Sequence, residues 1–152
     1  MAEAMAGEQT IHSGGCLCDA VRYEVRGKLR NVVNCHCTMC QRLHGVFGTH
    51  SKAKKSDIVI VRDDGLEWYA SSEHAHRGFC RRCGASLFWR PVDQDATGIL
   101  AGSLDAPSGL KTLGHIFTAE KAGFYGIDDG LPAFNASSDG GFEGDPCNAA
   151  AQ

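Results

Sequence analysis

The sequence predicts a mainly β protein, a single domain of short strands joined by metal-bearing turns. Three observations carry this. Glycine is abundant and proline scarce, 19 residues against 4, which suits a turn-rich chain. Short β-branched and aromatic runs recur between turn residues, with few long helical stretches among them. Cysteines crowd into closely spaced groups, which in a reducing compartment signal metal binding more than disulfides.

The elements follow in order. Residues 1–9 read as a flexible leader. Ile11–Gly15 reads as a strand and turn. Ala20–Val25 alternates, with Val21, Tyr23 and Val25 on one face, so it is a strand. Val32–Cys35 is extended, and Thr38–His44 fits one helical turn stopped by Gly45. Val46–His50 reads as a strand. Asp57–Arg62 is β-branched and apolar, and Asp63-Asp64-Gly65 turns it into Leu66–Ala70 as a hairpin. His76–Phe79 leads into a cysteine turn and Ser86–Arg90 leads out. Thr97–Ser103 and Leu113–Phe117 complete the strands. The folded domain is expected to span residues 10–135. Residues 136–152, rich in Ser, Asp, Gly and Ala, are expected to form a disordered tail.

Composition narrows the function classes. The 152 residues suit one domain, and a formal net charge of −3 lacks the positive excess that phosphate contacts demand. Nucleic acid is therefore not an expected partner. No run approaches the roughly 18 apolar residues of a membrane helix, so no membrane partner is expected. Met1–Glu8 lacks the basic flank and apolar stretch of a secretory signal. The expected location is cytoplasmic.

The cysteines carry the chemistry. Cys16 and Cys18 form C-x-C. Cys35, Cys37 and Cys40 form C-x-C-x-x-C. Cys80 and Cys83 form C-x-x-C followed by Gly84, a turn that aims two sulfurs the same way. Cys147 stands alone and reads as a free thiol. Two pairs from distant hairpins suit a closed tetrahedral zinc site, which assigns Cys16, Cys18, Cys80 and Cys83 to a structural ion. Cys35, Cys37 and Cys40 can hold a second, exchangeable zinc from one side, leaving a fourth position open as catalytic sites do. Two alternatives stand beside this division. His36 or His44 could complete a structural site with part of the triad, or Cys35 and Cys40 could be redox partners. Three thiolates blunt the Lewis acidity of zinc, so the open position suits an incoming thiol better than water.

The segments Gly14-Gly15-Cys16-Leu17-Cys18, Cys35-His36-Cys37-Thr38-Met39-Cys40-Gln41-Arg42 and Phe79-Cys80-Arg81-Arg82-Cys83-Gly84 resemble the glutathione-dependent formaldehyde-activating enzyme family. Gly102-Ser103-Leu104-Asp105, His115-Ile116-Phe117 and Asp129-Gly130-Leu131-Pro132-Ala133-Phe134 fit the same pattern. The resemblance spans about residues 10–135. It implies an Mss4-like fold of small antiparallel sheets and hairpins around a structural zinc. It also implies glutathione at a zinc on Cys35, Cys37 and Cys40. The implied reaction adds the glutathione thiol to formaldehyde, giving S-hydroxymethylglutathione, a carbon–sulfur lyase type of chemistry. The partners are then a small-molecule thiol and a small aldehyde. The rival classes are a non-enzymatic zinc module that binds proteins and a thiol or metal sensor. Lys121-Ala122-Gly123-Phe124-Tyr125 stands where many relatives carry a tryptophan, so a pocket edged by it would have its own shape.

Glutathione carries two carboxylates, and Arg42, next to the triad, is the candidate to bind them. Arg81 and Arg82 read as exposed knuckle residues. Alternation turns His36 away from the metal, while His44 or His115 could relay protons. Lys52, Lys54 and Lys55 read as a solvated turn, and Trp68 and Trp89 as core.

Overall fold

The computed structural model describes residues 10–142. The expected leader and Cys147 lie outside that range. Ten strands and one α-helix are present among the described residues. The first strands are β1 (Ile11–Gly15), β2 (Val21–Arg26) and β3 (Arg30–Cys35), followed by the helix α1 (Thr38–His44). Next come β4 (Gly48–Ala53), β5 (Ile58–Asp63) and β6 (Leu66–Ala70). The chain continues through β7 (Ala75–Cys80), β8 (Ser86–Pro91), β9 (Thr97–Leu100) and β10 (Thr112–Ile116).

The strands form two sheets. The smaller has three strands in the order β1-β2-β5, and the larger has seven in the order β10-β3-β4-β9-β8-β7-β6. Pairing is antiparallel except at the edge, where β10 runs parallel to β3. Parallel strands need a long return connection, and the stretch between Leu100 and Thr112 supplies it.

The core lies between the sheets. β2 alternates, burying Val21, Tyr23 and Val25 while Arg22 and Glu24 face outward. The Tyr23 ring meets Phe88 of β8 edge to face, with centroids 4.9 Å apart. Each large side chain buried there contributes roughly 1.5–3 kcal/mol. Gly14 makes the close approach possible, because a Cβ there would lie 2.5 Å from the Tyr23 ring.

Several expectations change. β5 and β6 do not pair as a hairpin: β5 joins β2 and β6 joins β7. Gly65 between them donates to Ala20 O and accepts from Arg81 N, so the turn is tied to the first cysteine cluster and the chain changes sheets there. The strand expected to run to Ser103 stops at Leu100 and becomes a 3-10 turn over Ala101–Ser103. That turn places Ser103 Oγ 2.6 Å from the Tyr23 hydroxyl. β4 begins later than expected, at Gly48, because Gly45 closes α1 at a φ of 91° and its N–H bonds Gln41 O. Lys52 is buried within β4, whereas Lys54 and Lys55 are exposed. Trp68 stacks on Phe88 against the core, but Trp89 instead lines a cavity. The order also extends past residue 135. Phe117 N donates to Ala136 O, and Phe142 is buried, packing edge to face on Phe134.

Candidate metal centres

Two hairpin ends bring four thiols together. Cys16 follows β1 and Cys18 sits in the next turn, while Cys80 ends β7 and Cys83 lies in the turn to β8. Their four sulfurs all lie within 4.8 Å of one another. Cys18 Sγ is 3.7 Å from both Cys16 Sγ and Cys80 Sγ. A disulfide would need about 2.05 Å. Two sulfurs each bound at about 2.3 Å to a tetrahedral ion lie about 3.8 Å apart, so the spacing is that of a metal cage. The backbone is shaped to it. Gly84 adopts a φ of 79° and its N–H closes the turn on Cys80 O. Val21 N donates to Cys16 Sγ at 3.3 Å. Burial opposes ionisation of Cys83, but N–H groups of Ala85 and Cys18 and the neighbouring thiols hold its pKa down at about 6.

A second group lies where β3 passes into α1. Cys35 ends the strand, Cys37 caps the helix and Cys40 sits in its first turn. All three are buried, packed against Ile116 and Phe117. Cys37 Sγ accepts the Cys40 N–H at 3.3 Å, a cap that favours negative charge. Hydrogen bonds from Cys35 and Cys40 lower the Cys37 thiol, while Cys35 and Cys37 push Cys40 upward. Cys37 therefore ionises easily and Cys40 resists, unless a cation offsets the charge. Their sulfurs also lie within 4.8 Å of one another, so either cluster could hold a metal ion. The four-plus-three grouping is the one read from spacing.

His36 turns away from these sulfurs. Its Nδ1 lies 2.5 Å from the Tyr125 hydroxyl and its Nε2 lies 2.9 Å from His115 Nδ1. His115 Nε2 in turn lies 2.7 Å from Asp129 Oδ2. Burial, with the nearby His115 adding, lowers the His36 pKa to about 4. Tyr125 and Asp129 were not singled out individually for this role. Tyr125 packs on His36 and Phe47, and Phe124 beside it is 71% exposed.

A cavity of about 320 Å³ opens beside Cys37, lined also by Met39, His74, Arg77, Trp89 and Glu120. Arg77 reaches Met39 Sδ at 3.1 Å. Glu120 Oε1 accepts from Thr38 N and Thr38 Oγ1, each at 3.1 Å. Arg42 lies on the exposed outer side of α1 and does not line this cavity. Arg81 and Arg82 are exposed. Arg77, on β7, was not visible as a site residue because it is 40 positions from Cys37 and sheet pairing alone brings it near.

A mainly β domain carrying a four-thiol and a three-thiol cluster has the architecture of a protein whose cysteines could hold metal ions. The chain belongs to the glutathione-dependent formaldehyde-activating enzyme family, whose model matches residues 11–120. An uncharacterized lyase of Schizosaccharomyces pombe is 29% identical over 79 residues, covering 51% of this chain and 56% of that protein. The chain thus matches little more than half the length of this curated relative. A solved Rhodobacter sphaeroides protein, a structural-genomics target, aligns with a TM-score of 0.56 and 27% identity. That alignment covers 68% of this chain and 98% of the other, and it bears out the expected mainly β fold. No helix among the described residues is long and apolar enough to cross a membrane.

Proposed function

We propose that the protein is a zinc-dependent carbon–sulfur lyase-type enzyme that adds glutathione, or a thiol like it, to a small aldehyde such as formaldehyde. The observation that carries this reading is the position of Cys37, which belongs to the buried triad and also forms part of a cavity wall. Cys16, Cys18, Cys80 and Cys83 would hold a structural zinc, and Cys35, Cys37 and Cys40 a catalytic one. Soft thiolate donors suit zinc. Zinc on the triad would supply a fourth position at which an incoming thiol loses its proton and becomes a nucleophile.

The chain's own residues do the rest. The cavity wall offers Arg77 to a carboxylate and Glu120 to an ammonium group, and the γ-glutamyl end of glutathione carries both. Arg42, on the adjoining helix, would meet a carboxylate outside the cavity. Trp89 and Met39 supply apolar surface beside a small aldehyde. The thiol sulfur bonds to the aldehyde carbon as the C=O π bond breaks, and the proton ends on the new hydroxyl. His74 lines the same cavity and would carry that proton. The product with formaldehyde is S-hydroxymethylglutathione. The seven cysteines among the described residues are all free thiols, which suits a cytoplasmic setting, where glutathione keeps them reduced.

Calorimetry with glutathione tests the reading. Wild type should bind and Cys37→Ser should not. Exchange NMR of glutathione with formaldehyde should show faster turnover with protein than without. Equal binding by both proteins, or equal exchange rates, would remove the proposal.

A further inference from the structure

We propose that Cys40, His44 and His50 form a second metal seat, for a borderline divalent cation such as Zn²⁺, that shares Cys40 with the triad. Cys40 and His44 are four residues apart on α1, so one helical face carries both. Gly48 of β4 pairs with Cys35 of β3. His50, two residues on, points to the same side of the sheet as Gly48. The ligand atoms of the three residues all lie within 4.8 Å of one another. Cys40 Sγ is 3.7 Å from His50 Nε2. A sulfur at about 2.3 Å and an imidazole nitrogen at about 2.05 Å from a tetrahedral ion lie about 3.6 Å apart.

Two independent features point to a ligand between them. His44 Nε2 is buried with no hydrogen-bond partner, a cost that a bound cation would remove. Gly48 keeps the space open. A Cβ there would lie 2.5 Å from His50 Nε2, 3.0 Å from His44 Cδ2 and 3.2 Å from Cys40 Sγ. Gly48 is an ordinary strand residue, so its backbone does not require glycine. The volume between the three side chains does.

The two seats differ in chemistry. Three thiolates leave a divalent ion with a net charge of about −1, and one thiolate with two imidazoles leaves it at about +1. The second seat therefore makes the ion the stronger Lewis acid. It is also reached differently. His44 lines a separate cavity of about 320 Å³ with Leu43, Tyr69, Arg77 and Phe88. The inference does not depend on the glutathione reading.

The test uses the full chain and Co²⁺ as the probe. Cys35→Ser/Cys37→Ser disables the triad, and serine still caps α1. That protein should bind about two Co²⁺ per chain, one at the four-cysteine cluster and one at the new seat. Adding His50→Gln should reduce this to about one and remove the visible bands of the second ion. Gly48→Ala in the same background should act like His50→Gln. About one Co²⁺ in the triad-disabled protein, or a second Co²⁺ indifferent to His50→Gln, overturns the proposal. If circular dichroism shows the double-serine protein unfolded, Cys35→Ser alone is read by the same criteria. Glutathione enters none of these measurements, so failure of the thiol-addition reading leaves their result intact.

Discussion

His36 and His115 are joined ring to ring, Nε2 to Nδ1, at 2.9 Å. The outer partner Asp129 fixes the proton at one end of the hydrogen-bond chain. The Asp129 carboxylate only accepts, so His115 Nε2 must donate to it across 2.7 Å. With the ring neutral, His115 Nδ1 then accepts from His36 Nε2–H. His36 Nδ1 is left to accept from the Tyr125 hydroxyl at 2.5 Å. Both nitrogens of His36 are thereby occupied, which removes it as a metal ligand although it lies between two triad cysteines.

Tyr125→Phe removes the donor to a histidine that is 0% exposed. The expected loss is about 1–3 kcal/mol of unfolding free energy, read by urea denaturation. The ¹⁵N shift of His36 Nδ1 should move in the same protein. Wild-type stability with an unchanged ¹⁵N spectrum would contradict the hydrogen-bond chain.

Removing metal from the four-cysteine cluster should unfold the domain. Structural zinc contributes roughly 10–16 kcal/mol of apparent binding energy, and whole domains are stable by about 5–15 kcal/mol. Strong chelation, or Cys80→Ser, should abolish the β-type circular dichroism signal. Gly65→Ala should weaken the same site, since its Cβ would lie 2.6 Å from Cys80 Sγ. Metal analysis of the purified variants checks both. Fully folded, metal-free Cys80→Ser protein would contradict the structural assignment.

Arg77→Ala should weaken glutathione binding by roughly tenfold or more, the effect of losing a charge-assisted hydrogen bond worth about 1.5–3 kcal/mol. Arg42→Ala should have the smaller effect, because Arg42 lies outside the cavity that Cys37 lines. Calorimetry on both variants orders them. A larger loss from Arg42→Ala would move the carboxylate site to the outer side of α1.

The Arg22–Asp105 pair gives a pH signature. Arg22 holds the Asp105 carboxyl below its ordinary value of 3.8 through hydrogen bonds and charge. A carboxylate with a depressed folded pKa adds stability above its unfolded pKa, and that stability is lost as pH falls through the folded value. Asp105→Asn should therefore cost about 0.2–1 kcal/mol at neutral pH, the range for an exposed pair. The difference from wild type should vanish below pH 3.8 as Asp105 takes up its proton. Denaturation series at several pH values read it directly, and a difference that persists in acid would place its origin elsewhere.

The cysteine grouping was legible because ligand pairs close together in sequence share a turn. C-x-C and C-x-x-C leave few arrangements for two sulfurs, and glycine at Gly84 permits the reversal. Helix α1 was equally legible from Thr38 to Gly45. His50 was missed, although two local signals pointed toward it: the four-residue spacing of Cys40 and His44, and the alternation of Gly48 and His50 on β4. Phe142 was missed because a polar composition said nothing of one aromatic that finds a groove beside Gly114 and Phe134.

The sequence by itself determined the mainly β class, the face β2 would bury, and which thiols would cluster. Alternation and short ligand spacings are local, and local geometry fixes them. The tertiary structure alone decided that β5 joins β2 and β6 joins β7, since an alternating strand specifies its buried face without naming its neighbour. It also decided that His36 meets His115, 79 positions along the chain, and that Arg77 reaches the Cys37 cavity. Contacts of that range depend on how the two sheets pack, with the four-cysteine cluster tying their ends together.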